Sequence, residues 1–112
     1  MSNIQNISPT QLKQRIEQGE EFILIDVRED WELEISRLDA AQQIVLHTLP
    51  ERAEQEIPKD KPVVFICRSG GRSLQAALFL AQNGWDTQYL YNLDGGILRW
   101  AQEVDPTLPT NY

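Results

Sequence analysis

The 112-residue chain holds one cysteine, Cys67, and one histidine, His47. A single cysteine excludes an internal disulfide, and one cysteine with one histidine supplies no ligand set for a structural zinc, so no metal site is expected. Basic residues are scarce as well: 10 Lys and Arg face 17 Asp and Glu, leaving a net charge of -7. Such a surface is a poor match for nucleic acid or an anionic membrane, and neither is expected as a partner. The first twenty residues show no basic start followed by an apolar run. Nor does any apolar stretch reach the roughly 18 residues that a membrane helix needs. A soluble, unprocessed, cytoplasmic protein is the expectation. Hydrophobic residues make up 41% of the chain, enough to close one core at this length. One domain over 1–112 is therefore expected, with 105–112, rich in Pro and Thr, as a loose tail.

The apolar residues are grouped rather than alternating. Phe22 to Val27 and Pro62 to Cys67 are near-continuous apolar runs, the signature of strands buried on both faces of a largely parallel sheet. Gln43 to Leu46 and Gln88 to Tyr91 are shorter β-rich stretches that could complete it. Between them lie helical signals. Ser8 as N-cap, Pro9 in the first turn, Gln11 closing a capping box and Ile7 facing Leu12 start one helix, which Gly19 ends. Thr48 and Glu51 have capping-box spacing for another. Ser73 to Asn83 places Leu74, Ala77, Leu78 and Ala81 on one face before Gly84, and Gly96 to Gln102 is a last short helix. Strands alternating with helices give an α/β fold with right-handed crossovers.

Chemistry is concentrated in Cys67-Arg68-Ser69-Gly70-Gly71-Arg72-Ser73, which leaves a buried strand and runs into a helix. A loop in that position turns backbone N–H groups toward one point, where the helix dipole adds positive character. Gly70 and Gly71 are read as residues that let the backbone take left-handed conformations, and Arg68 and Arg72 as fixed cations. The field favours an accessible thiolate at Cys67, hence a nucleophile. Taken alone, a cysteine ending an apolar strand is a small buried hydrophobe. Two Gly, two Arg and two Ser in the next six residues exceed what a plain turn needs, and tip the reading toward function. The bland reading of Arg68 and Arg72 is a solvated or salt-bridged surface role. His47 lies in no recognisable pairing motif and reads as structural. Trp31, Trp85 and Trp100 are scattered and read as core or core-edge rings.

Over nearly its whole length the chain resembles the rhodanese domain. Three motifs carry the resemblance in the family's order: Asp26-Val27-Arg28-Glu29, the Cys67-to-Ser73 loop, and Leu93-Asp94-Gly95-Gly96-Ile97-Leu98-Arg99-Trp100. It implies a central, mainly parallel five-stranded sheet flanked by helices, and a sulfurtransferase needing no cofactor. In that cycle the cysteine takes a sulfane sulfur from thiosulfate or a persulfide donor and passes it to a thiol acceptor, which can be a protein, or to cyanide. Carried over, Cys67 is the sulfur carrier, Arg68, Ser69, Gly70, Gly71, Arg72 and Ser73 hold the persulfide and donor, and Asp26 and Arg28 brace the site. One stretch departs from the pattern. Where the family has Gly-His-Ile-x-Gly-Ala, this chain reads Ser36-Arg37-Leu38-Asp39-Ala40-Ala41, so the turn there is expected to differ and Arg37 to bring a charge toward the pocket.

Two other functions compete. Cysteine phosphatases and arsenate reductases also attack from a thiolate in an anion loop ending in Arg, but their loop is one residue longer than the four residues between Cys67 and Arg72. A phosphatase also needs a placed acid, and Glu29, Asp30 and Glu32 are candidates by composition only. A non-catalytic rhodanese-like module is the second competitor, and the intact Cys67 loop weighs against it.

Overall fold

A computed structural model of the chain describes residues 3–112. Five strands form one sheet: β1 (Gln5–Ile7), β2 (Ile23–Asp26), β3 (Gln42–Gln43), β4 (Val63–Ile66) and β5 (Leu90–Leu93). Their spatial order is β1-β5-β4-β2-β3, and every neighbouring pair is parallel. The two continuous apolar runs are the interior strands β2 and β4, buried as expected for a sheet covered on both faces. Along β4, Val63, Phe65 and Cys67 enter one core cluster while Val64 and Ile66 enter the other, which is the period of two of a strand.

The helices are α1 (Pro9–Glu17), α2 (Asp30–Ile35), α3 (Leu49–Glu56), α4 (Gly71–Gln82) and α5 (Gly96–Glu103). Residues of α3 and α4 (Ala53, Ala76, Ala77, Leu80) cover the Cys67 face; Leu12 of α1 and Ile97 of α5 cover the opposite one. The α1 capping box forms as read: Ser8 Oγ accepts from Gln11 N–H at 3.1 Å and Gln11 Oε1 accepts from Ser8 N–H at 2.9 Å.

Several expectations are corrected. The β3 bridge is Gln42–Gln43, and the apolar residues after it turn into a 3-10 helix, Leu46–Thr48. β5 starts only at Leu90, because Thr87–Tyr89 forms a 3-10 turn capped by Asp86. Thr48 closes no capping box: its hydroxyl donates back to Val45 C=O at 2.7 Å. On α4 the buried face is Ser73, Ala76, Ala77 and Leu80, rotated from the Leu74–Leu78 face, because small residues let the helix approach the sheet closely. Trp85 is buried, but Trp31 on α2 is 59% exposed. No described helix is long and apolar enough to cross a membrane.

Topology places the site. From β2 the chain moves outward to β3, and from β4 it moves the other way to β5, so the crevice beyond the carboxyl ends of β2 and β4 is a switch point. Arg28 follows β2 there, and Cys67 follows β4.

Candidate active site

Cys67 directly follows β4, and its loop enters α4 at Gly71. The chain turns at Gly70, whose φ of 114° is a conformation that side-chain-bearing residues rarely adopt. Gly71 has no such φ and open space where a Cβ would stand, so only the first of the two glycines is required by the backbone. The turn brings the Gly70 N–H onto Cys67 Sγ at 3.0 Å, and the Ser73 hydroxyl lies 3.2 Å from the same sulfur. The amino end of α4 begins at this turn and adds the positive end of its dipole to the same edge. Cys67 is 1% exposed, which corrects the expectation of an accessible thiol. Burial follows from what lies against the loop: Ile97 N–H bonds Cys67 C=O at 2.9 Å, and Leu98 N–H bonds Arg68 C=O at 3.2 Å. A Cβ on Gly96 would stand 2.4 Å from Arg68 O and 2.6 Å from Cys67 O, so the loop rests directly on a glycine backbone.

The Ser73 hydroxyl has one proton and three acceptors in reach: Sγ, Gly70 C=O at 3.2 Å and Asn92 Oδ1 at 2.5 Å. Asn92, buried in β5, also donates to Gly70 C=O at 3.2 Å and so ties the turn to the sheet. When the sulfur carries a proton, the Ser73 hydroxyl is free to point at Asn92. When the sulfur is an anion, the same hydroxyl can turn to it.

Around this core stand three arginines with different surroundings. Arg28 is fully buried and forked onto Asp26, with Nε and Nη2 donating at 3.0 and 2.9 Å, while Nη2 also donates to Ser36 C=O at 2.7 Å. The bond to Asp26 holds the Arg28 guanidinium above its ordinary range against the opposing effect of burial. Arg72 makes a bidentate pair with Glu32, 2.7 Å on each arm. That pair holds the Glu32 carboxyl below the usual range and the Arg72 guanidinium above it. Glu32 Oε2 also accepts from the Glu29 N–H at 2.9 Å, capping α2. Arg68 is exposed, and its partners are the main-chain oxygen and the ring of Tyr112, the latter 5.3 Å from Cζ. Ser69 is also exposed.

Among the residues read from sequence, the structure thus gathers Cys67, Gly70 and Ser73 at the sulfur, puts Arg72 beside them, and leaves Arg68 and Ser69 on the rim. Asp26 and Arg28 form a buried brace. Arg37 does not join this group; it is exposed beside Asp39, at 3.8 Å. His47 is exposed in the 3-10 turn. Sequence reading missed Asn92, a polar residue inside the Leu90–Leu93 strand, and the pairing of Glu32 with Arg72. It also missed Tyr112. Only Asn92 carried a local signal, since a polar side chain in a buried strand needs partners.

The model of the rhodanese-like domain matches residues 8–103. The chain belongs to the rhodanese family. Bacillus subtilis YtwF, which bears a sulfurtransferase name, is 42% identical over 92% of this chain and 96% of its own length. A sulfurtransferase of Allochromatium vinosum is 39% identical over 92% of this chain and 94% of its own. The solved rhodanese-like domain protein of Staphylococcus aureus superposes with a TM-score of 0.79, at 26% identity, covering 90% of this chain and 95% of that one. These rhodanese relatives support a sulfurtransferase role and bear out the parallel five-stranded sheet flanked by helices.

Proposed function

We propose that the protein carries sulfur as a persulfide on Cys67, taking it from an anionic donor such as thiosulfate and passing it to a thiol or to cyanide. The observation that carries this reading is the Gly70 N–H and Ser73 hydroxyl converging on Cys67 Sγ at 3.0 and 3.2 Å, at the amino end of α4. Such a point stabilises one anionic atom. The Cys67 thiolate attacks the outer sulfur of thiosulfate; the S–S bond of the donor breaks and its electron pair leaves with sulfite. The terminal sulfur of the persulfide then occupies the cradle formed by the loop from Arg68 to Ser73. An acceptor thiolate attacks that sulfur, the Cys67–sulfur bond breaks, and Cys67 returns as thiolate with a persulfide formed on the acceptor. With no second cysteine in the chain, an internal disulfide cannot discharge it, so an external acceptor is required. No cofactor enters these steps.

Phosphoryl chemistry fits less well. Four residues separate Cys67 from Arg72, and both guanidinium arms of Arg72 are engaged by Glu32 rather than open to three phosphoryl oxygens. Glu32 is itself held as a carboxylate and is no proton donor near neutral pH. The test is mass spectrometry of the native protein and Cys67→Ser after thiosulfate treatment, with thiocyanate formation followed in parallel. Native protein should gain one sulfur atom and turn over cyanide, and the serine variant should do neither. Turnover of an aryl phosphate without any added sulfur would overturn the reading.

A further inference from the structure

Cys67 is 1% exposed, so a donor and an acceptor reach its sulfur only past whatever stands at the rim of the loop. Residues 105–112 lead to it, and Tyr112 at their end touches Arg68. They carry no helix or strand, but two points fix them. Asp105 N–H bonds Trp100 C=O at 3.0 Å and Leu108 N–H bonds Asp105 C=O at 3.1 Å, with Leu108 packed on the core. Four residues on, Tyr112 packs against the same core cluster as Leu108 and makes contacts on three further sides. Its hydroxyl accepts from Arg28 Nη1 at 2.6 Å and lies 3.4 Å from Glu32 Oε1. Its ring meets the edge of Trp31 at 6.3 Å between centroids and lies under the Arg68 guanidinium, and its main-chain oxygen accepts from Arg68 Nε. Tyr112 therefore bridges the residue next to Cys67 and the Asp26–Arg28 and Glu32–Arg72 pairs. Among the described residues, no hydrogen bond ties Pro109 to Asn111 between the two fixed points to the body of the protein.

We infer that Tyr112 forms the movable wall of the mouth above Cys67 and sets the size of the sulfur donor or acceptor that reaches it. The inference rests on Cys67 being the reacting residue, as proposed above. Arg68 couples the wall to the substrate. Both of its partners belong to Tyr112, the main-chain oxygen and the ring, and no carboxylate side chain pairs with it among the described residues, so an anionic donor competes directly with the Tyr112 oxygen for that cation. Binding the donor at Arg68 releases one of the contacts that hold the wall shut. Trp31, exposed on the other side of the ring, becomes the fixed apolar surface that the opened mouth presents to an acceptor.

The test is the rate at which Cys67 is alkylated by iodoacetamide and by a bulky maleimide, in native protein, Tyr112→Ala and Tyr112→Phe. Alanine removes the ring; phenylalanine keeps it over Arg68 and Trp31 but loses the hydroxyl contact with Arg28. With the wall removed, modification should rise on the order of tenfold, as expected when a charged hydrogen bond and a ring contact are lost. The bulky reagent should gain more than the small one, and Tyr112→Phe should fall between. Because the readout is alkylation, it does not depend on which reaction Cys67 performs: faster alkylation with no sulfur taken from thiosulfate sustains the wall and removes the sulfurtransferase reading. Equal rates for both reagents in native protein and in both variants would overturn the wall. Should Tyr112→Ala not fold, the phenylalanine variant alone decides, since its larger gain with the bulky reagent is then the required result.

Discussion

Arg68 and Arg72 sit four positions apart in one loop, and as letters they are the same charge. Their surroundings differ completely. Arg72 is locked to Glu32 by two 2.7 Å bonds, so the charge it adds near Cys67 is largely neutralised and its contribution is position. Arg68 pairs with no carboxylate side chain among the described residues; it meets the main-chain oxygen and the ring of Tyr112, at an exposed position where a ligand can take their place. The lesson is that the positive character of this loop cannot be counted from its sequence. One arginine holds the loop in place and the other faces outward. The cradle at the sulfur is then mostly backbone and hydroxyl, which suits a single anionic atom better than a spread of charge.

The largest effect should come from breaking the brace beneath both arginines. Asp26→Ala leaves the Arg28 guanidinium buried at 0% exposure without its carboxylate. Removing one partner of a buried pair costs about 3–5 kcal/mol, so urea unfolding should show a loss of that order, or no folded protein at all. An unchanged unfolding midpoint would mean that Arg28 finds another anion or leaves the core.

Next in size is the lock on Arg72. Glu32→Gln keeps the shape and removes the charge, and should cost about 1–2 kcal/mol, discounted because the Arg72 side chain is 36% exposed. Here the pH dependence is specific. The Glu32 carboxyl titrates lower in the folded protein than in the unfolded chain, because Arg72 bonds its ionised form. Its contribution is therefore full above the unfolded carboxylate range, near pH 4.3, and is lost as pH falls through the lower folded value. The native protein should lose stability over that acid window more steeply than Glu32→Gln. Parallel acid profiles for the two would place the lock elsewhere.

How much of this was legible follows from sequence distance. β2 and β4 announced themselves because both their faces are buried, so apolar residues run together. β1 did not, and β3 was read a little too far along the chain, at Gln43 to Leu46, since Gln5–Asn6 and Gln42–Gln43 are edge residues held in the sheet by backbone pairing rather than by apolar side chains. α2 was missed too: Asp30, Glu32 and Glu34 mask its period, and Trp31 and Ile35 are exposed rather than facing the core. The Cys67 loop was readable because its parts are contiguous. Glu32, Asn92, Gly96 and Tyr112 reach it from afar, Glu32 pairing with Arg72 across 40 residues and Tyr112 with Arg68 across 44, and only the topology of the sheet brings them together. The expected accessible thiol failed for the same reason, since the residues that cover Cys67 lie elsewhere in the chain.

The smallest effect on the fold, and the sharpest on the comparison, should come from Arg68→Ala. Arg68 is exposed and pairs with no carboxylate side chain among the described residues, so stability should stay within about 0.5 kcal/mol of native. Activity should not stay level. As the cation left free to meet thiosulfate, Arg68 should act mainly on binding, so its loss should raise KM for that donor several-fold and change kcat little. Screening gives the control: charges at the surface are damped beyond about 10 Å at 0.1 M salt and about 3 Å at 1 M, so the gap between Arg68→Ala and native should narrow as salt rises. Arg72→Ala makes the opposite pattern, because it strands the buried Glu32 and loosens the turn that places the Gly70 N–H on the sulfur. Its kcat should fall and its stability drop together, with little rescue or worsening by salt. Should the two alanine variants behave alike in KM, kcat and salt response, the division of labour between the two ends of the loop is wrong, and the donor's charge must be met by the backbone alone.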